Sequence, residues 1–361
     1  SRYFRDKKIW SCGKGYCKEQ GKYPVIFLTF KDVKCVSWDE TFKKIRHLIS
    51  QEFLRHAELA SSPVLNHYEK ERFVLFTGDK ADEVYCEMSL QLLSLYLNKH
   101  YGKPAVIIID EYDTPIQQGY TEGYYKQVTG FMRNLLSGAF KDNSNLSYGF
   151  LTGILRVAKE SIFSGLNNIT VHSVLDEKYS EYFGFTDQEV KDILKDIGLQ
   201  EHFKEIKEWY DGYNFGKIDV YCPWDVMNYV RDLRIDPDMK PASYWKNTSD
   251  NAIIRSFIDY AGSGIQKKME KLMAGDTIDQ KIEENLTYDY LHSSEENFWS
   301  ILYLTGYLTR DKEEKESADG KITLKIPNKE IREIFETTVQ DWFSDTAKLQ
   351  DRKHLFDAVW N

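Results

Sequence analysis

Two short, almost wholly apolar runs constrain this chain more than anything else in it. "YPVIFLTF" spans Tyr23–Phe30 and "AVIIID" spans Ala105–Asp110. Each is too short for a buried helix and is rich in strand-forming residues. A strand without polar alternation is buried on both faces, as in a parallel sheet covered by helices. Helical patterns lie between and after these runs, at about 38–58, 87–100 and 123–140. "LSYGFLTG" (Leu146–Gly153) reads as a third strand and "ITVHSVL" (Ile169–Leu175) as a fourth. Strands alternating with helices predict βαβ units, an α/β fold and one parallel sheet.

The pattern changes after about residue 180. "FTDQEVKDILKDI" opens with Thr186 and carries Glu189 three residues later, a capping box at a helix start. Further helical stretches follow at about 223–232, 249–261 and 265–273. "EENFWSILYLTGYLTR" reads as a helix running into a strand, "DKEEKESADG" as a polar turn and "KITLKIP" as a return strand. "NKEIREIFETTVQDWF" closes the series as a long amphipathic helix. Helix, hairpin, helix is the element order of a winged-helix module. The expected division is an α/β core over 1–178, a helical domain over 179–285 and a winged-helix-like module over 286–361.

The second apolar run ends in two adjacent carboxylates, Asp110 and Glu111, within "AVIIIDEYDTP". In an open parallel sheet, ligands bind beyond the carboxyl ends of the strands. An apolar strand ending in Asp-Glu is the Walker B arrangement. The Asp holds Mg²⁺ and the Glu polarises the water that attacks a γ-phosphate. The bland alternative is a strand capped by a solvated turn. Thr152 ends the third strand, where several P-loop ATPases place a polar residue that senses the γ-phosphate. Arg156, about one turn later, has the reach of an arginine finger supplied in cis. The alternatives are a satisfied strand-end hydroxyl and a surface ion pair.

A P-loop requires G-x4-G-K-[ST] between a strand and a helix. "GYCKEQGKY" (Gly15–Tyr23) comes nearest. Its glycines have five residues between them, Tyr23 stands at the Ser/Thr position, and the segment leads into a strand. It is rejected, and nothing before Gly15 has room for a strand and a loop.

Composition narrows the partners. A net charge of −9 argues against a uniformly basic, nucleic-acid-coating surface. The five cysteines are scattered, and Cys12 and Cys17 find no second pair or nearby His to complete a zinc site. They read as reduced thiols in a cytoplasmic protein. No apolar run approaches the length of a membrane-spanning helix.

Jointly, eight stretches resemble a known family, the bacterial AAA-ATPase-like proteins that often carry a C-terminal PD-(D/E)XK nuclease-like domain. They are "GKYPVIFLTFKDVK" (21–34), "VIIIDEYDTPIQ" (106–117), "LTGILRVAKESIFSGLNN" (151–168), "FGFTDQEV" (183–190), "WYDGYNFG" (209–216), "YCPWDVMNY" (221–229), "YWKNTS" (244–249) and "IPNKEI" (326–331). The resemblance implies a P-loop ATPase with its Walker A upstream of Ser1 and a nuclease-like domain beyond Asn361. It carries Asp110 and Glu111 over as Walker B, with Mg and ATP as cofactors in the intact protein.

Three readings follow. The first is the ATPase core of an intracellular protein, with Glu111, Thr152 and Arg156 as catalytic residues and Asp110 as the Mg²⁺ ligand. The fragment alone is expected to be inactive. The second is a non-enzymatic regulatory or interaction module that holds a protein partner or nucleic acid and has lost nucleotide binding. The third, a nuclease, finds no D…E-x-K constellation in the chain.

Overall fold

The computed structural model describes residues 3–5, 7–154, 169–245, 263–284, 286, 294–312 and 319–337. It divides into two compact units, Ser1–Ile169 with Asn285–Tyr288, and Thr170–Glu284 with Asp289–Asn361.

The first unit opens with two short helices, α1 (Lys8–Ser11) and α2 (Lys14–Glu19), before strand β1 (Val25–Thr29). Helices α3 (Trp38–Leu54), α4 (His67–Thr77) and α5 (Glu83–Tyr101) lead to β2 (Ala105–Asp110). Then come α6 (Thr114–Glu122), α7 (Tyr125–Phe140) and β3 (Leu146–Leu151). The three strands form one parallel sheet in the order β1-β2-β3. Helices start where the sequence supplies acceptors. Ser37 accepts from Glu40 N at the start of α3, and Asn66 and Glu69 form a full capping box on α4. Each such cap contributes about 1 kcal/mol.

The two faces of this sheet differ. Ile26, Leu28, Ala105, Ile107 and Ile109 are buried beneath the helices, together with Ile45, Phe53, Leu93 and Leu97. On the opposite face, Phe27, Tyr148 and Phe150 remain 41%, 56% and 55% exposed.

The two edges differ as well. The outer side of β1 is closed by α3. Glu52 Oε1 accepts from Phe27 N at 2.9 Å, and Arg55 Nη2 donates to Val25 O at 2.5 Å and to Glu52 Oε1 at 2.8 Å. This side-chain pair satisfies the backbone groups that a neighbouring strand would otherwise take. No described strand pairs with the outer side of β3.

The expected fourth strand is absent. Residues 169–175 form no strand, because Ser173 and Asp176 divert the backbone into a local turn. Asp176 Oδ2 accepts from Ser173 N at 2.7 Å, Ser173 Oγ accepts from Leu175 N at 3.2 Å, and Ser173 O accepts from Asp176 N at 3.1 Å. Short polar side chains of this kind compete with ladder bonds for the backbone.

The second unit contains α8 (Asp187–Ile197), capped by Thr186 and Glu189 as expected, and α9 (Phe203–Tyr210). A small hairpin, β4 (Tyr213–Phe215) and β5 (Ile218–Val220), precedes α10 (Pro223–Ile235). Val190, Leu194, Ile206, Tyr210, Tyr229 and Leu233 form its buried cluster. The expected helix at 249–261 lies outside the described residues. Then follow α11 (Ser263–Ala274), β6 (Ile278–Gln280), α12 (Glu295–Leu304), β7 (Thr309–Arg310), β8 (Ile322–Lys325) and a helix α13 described over 329–337. β7 and β8 pair antiparallel, with Thr309 opposite Lys325. β6 adds a strand on the other side of β8. Most of the turn between β7 and β8, residues 313–318, lies outside the described residues.

Candidate functional site

The site is built at the carboxyl end of β2. In the parallel register, Thr29 of β1 stands directly opposite Asp110. Its Oγ1 donates to Asp110 Oδ2 at 3.3 Å. From the other side, Thr152 Oγ1 donates to Asp110 Oδ1 at 2.6 Å. Asp110 thus sits on the middle strand with one hydroxyl donor from each flanking strand. The shorter bond is in the range of a charge-assisted O–H···O⁻ contact. Together the two donors fix its orientation.

The backbone around Asp110 is equally constrained. Asp110 O accepts from Phe30 N at 3.0 Å, Ile109 O from Thr152 N at 2.9 Å, and Thr152 O from Tyr112 N at 3.1 Å. Glu111 then leaves the strand with φ of 51°. A non-glycine residue in this left-handed region costs on the order of 1 kcal/mol. The turn lets α6 begin at once, with Pro115 in its first turn. Glu111 Oε2 accepts from Thr114 Oγ1 at 3.2 Å. Both Asp110 and Glu111 remain partly exposed.

Asp113 ties the end of β3 to this turn. It is 3% exposed, and its Oδ2 accepts from Ile154 N at 2.9 Å. Gly153 presses on it: a Cβ there would stand 2.6 Å from Asp113 Oδ1 and from Tyr112 Cε1. Only a glycine lets the two turns approach so closely. On the β1 side, Tyr124 donates from its hydroxyl to Cys35 O at 2.8 Å and accepts from Thr41 Oγ1 at 2.9 Å. This links the loop after β1 to the start of α7.

Of the residues singled out in the sequence, the structure brings Asp110 and Thr152 into direct contact and sets Glu111 beside them. Arg156 lies outside the described residues. Two polar partners went unread. Thr29 reads in sequence as the tail of an apolar strand, and its signal was the matching position in the register. Asp113 is the third acid of "DEYD" and reads in sequence as part of a solvated turn. The rejected segment at 15–23 forms helix α2 and a turn leading into β1, the reverse of the strand-loop-helix order a P-loop needs.

Among the described residues, no three His, Cys, Asp or Glu side chains converge as a metal-holding group. Asp110 offers hard oxygens suited to Mg²⁺, which commonly takes one or two protein carboxylates and completes its shell with water and phosphate.

The sheet and its polar strand ends define an α/β protein with a parallel sheet flanked by helices. Its first 163 residues match the family described as "Predicted AAA-ATPase", and this part of the chain is AAA-ATPase-like. The chain is also similar to a curated protein of Azotobacter chroococcum mcd 1, described as "Uncharacterized protein in vnfD 5'region". The two are 27% identical over 234 residues, which cover 64% of this chain and 42% of that relative. The chain therefore spans less than half the length of the relative it matches. No solved structure matches it. No helix among the described residues is long and apolar enough to cross a membrane.

Proposed function

We propose that the carboxyl end of β2 is the Walker B half of a Mg-ATP site in the intact protein. The observation that carries this reading is Asp110, held on the central strand by Thr152 at 2.6 Å and Thr29 at 3.3 Å. Asp110 would hold the cation, and Mg²⁺ when bound would neutralise charge on the phosphate oxygens. Thr29 and Thr152 keep the Asp110 carboxylate aimed. Glu111, turned out of the strand by its positive φ, orients and polarises water; Thr114 holds it meanwhile.

The phosphate cradle and its lysine would come from outside these 361 residues. The edge of β3, which no strand among the described residues covers, and the face exposing Phe27, Tyr148 and Phe150 support this reading. A parallel sheet rarely leaves such surface unpaired. The helix-hairpin-helix order of α12, β7, β8 and α13 supports a winged-helix-like module, attached to the core as a contact surface for a protein or nucleic acid. The second reading, an interaction module without turnover, draws on the Glu111–Thr114 bond, which occupies the proposed base.

The test is phosphate release by the full-length protein with and without Glu111→Gln, alongside nucleotide binding by calorimetry. Retained binding with hydrolysis lost supports the ATPase reading. Unchanged turnover would remove Glu111 from the chemistry, and absence of nucleotide binding favours the interaction module.

A further inference from the structure

A second pair of carboxyls lies in the second unit, and nothing in the proposed ATPase chemistry uses it. Asp225 is in the first turn of α10, and Glu330 is in the first turn of α13. Both are fully buried. Glu330 Oε1 accepts from Trp245 N at 2.9 Å. Glu330 Oε2 and both oxygens of Asp225 are buried without a well-formed hydrogen bond from the described residues; the Cys222 thiol, a weak donor, lies beside Asp225, and the Tyr244 amide lies beside Glu330. The two carboxyl groups face each other within hydrogen-bonding reach.

Three buried acceptor oxygens short of strong donors are costly, and two adjacent buried carboxylates both ionised are costlier still. One proton between them removes both problems, since a carboxylic acid donates to a carboxylate in a short, strong bond. We propose that Asp225 and Glu330 share a single proton, and that this bond pins the start of α10 to the start of α13 until rising pH removes it.

The surroundings agree. Among the described residues, the groups facing the pair are the Cys222 thiol beside α10, Tyr210 on α9, Tyr213 on β4 and Tyr244. All four are weak acids pushed upward, chiefly by burial, and none brings a positive charge. Burial, then the charge of Asp225, pushes Glu330 from its ordinary 4.5 up to about 8; burial also pushes Asp225 up. The bond is embedded in a wider junction. Asn328 Nδ2, just before α13, donates to Asp211 O at 2.9 Å. Gly212, with φ of 99°, lies so close to the Pro327 carbonyl that no Cβ fits there. "WYDGYNFG", "YCPWDVMNY", Tyr244 with Trp245, and "IPNKEI" thus meet at one point. Beside it is a cavity of about 240 Å³, with Tyr213, Cys222 and Trp245 among its walls.

Because the folded pair holds its proton more tightly than the unfolded chain does, the stabilisation is complete below the ordinary carboxyl range. It declines as pH rises from there through about 8. Thermal unfolding of the full chain between pH 5 and 8 tests this. The expected midpoint falls by on the order of 5 °C across that range. Glu330→Gln, which stays neutral and donates an N–H to Asp225, should lose at least half of that fall. Infrared spectra of the unmutated protein at pH 7 should contain a protonated-carboxyl stretch that titrates near pH 8. That measurement does not depend on a variant folding. A Glu330→Gln protein with the full pH dependence, or no such titrating band, overturns the proposal.

Discussion

The chain carries two carboxylate pairs that behave oppositely. Asp110 and Glu111 are neighbours in sequence, partly exposed, and held by hydroxyl donors from Thr29, Thr152 and Thr114. Asp225 and Glu330 are distant in sequence, fully buried, and short of donors. The same functional group is therefore given hydroxyl donors in one place and driven toward protonation in the other. Desolvation decides the difference, because a carboxylate loses far more on burial than a hydroxyl donor returns. The first arrangement leaves oxygens free for a cation. The second leaves them only each other.

Glu111→Gln gives the largest expected effect. In the full-length protein, hydrolysis should fall by on the order of 10²-fold or more, as for loss of a general base. Nucleotide binding should persist. Measured as phosphate release under saturating Mg-ATP, a fall of less than about threefold would show that the exposed pair is as structural as the buried one.

Glu330→Ala comes next. It removes buried volume and leaves Asp225 and the Trp245 amide without their partner. The expected cost is about 2–4 kcal/mol in denaturant unfolding at pH 7. Asp110→Asn, the same probe applied to the exposed site, should cost under about 1 kcal/mol, since solvent reaches it. Equal losses at the two sites would erase the contrast between them.

The first pair was legible in sequence because it follows a strand signal of five apolar residues, and parallel sheets put ligands at that end. The contact between Asp110 and Thr152 was legible for the same reason. The turn at Ser173–Asp176 was not, because "ITVHSVL" has strand composition and only its side-chain hydrogen bonds reveal that it turns. Helix α4 was missed although Asn66 and Glu69 spell its capping box, since its apolar residues are spread around the helix. The second pair was invisible. Asp225 and Glu330 each begin an ordinary amphipathic helix, where an acidic first turn is what the helix dipole favours. Only the fold's bringing together of the first turns of α10 and α13 turns two routine residues into an unusual pair.

Thr152→Val tests the stronger of the two donors to Asp110. It keeps the side-chain shape and removes a bond of 2.6 Å to a carboxylate. A hydrogen bond to a charged group contributes about 1.5–3 kcal/mol when buried, and Thr152 is exposed, so about 1 kcal/mol is expected. In the full-length protein the same change should weaken Mg²⁺-dependent nucleotide binding several-fold. Unaltered binding would mean that Asp110 is oriented by its backbone alone.

Thr29→Val is the smallest effect and the sharpest control. Thr29 approaches the other Asp110 oxygen at 3.3 Å, beyond the usual O–H···O range of 2.5–3.0 Å. A bond that long contributes a fraction of the shorter one, so the expected loss is under about 0.5 kcal/mol. Strand β1 does not depend on it, because Phe30 N still donates to Asp110 O at 3.0 Å, and Glu52 and Arg55 still close the outer edge. The valine should therefore leave unfolding nearly unchanged while Thr152→Val does not. If Thr29→Val proves the more damaging of the two, the working donor to Asp110 is on the sealed side of the sheet. The cation would then approach from the β3 side, where no strand among the described residues closes the edge. Metal-dependent nucleotide binding by the two variants, measured side by side, decides which side holds the carboxylate and which admits the ligand.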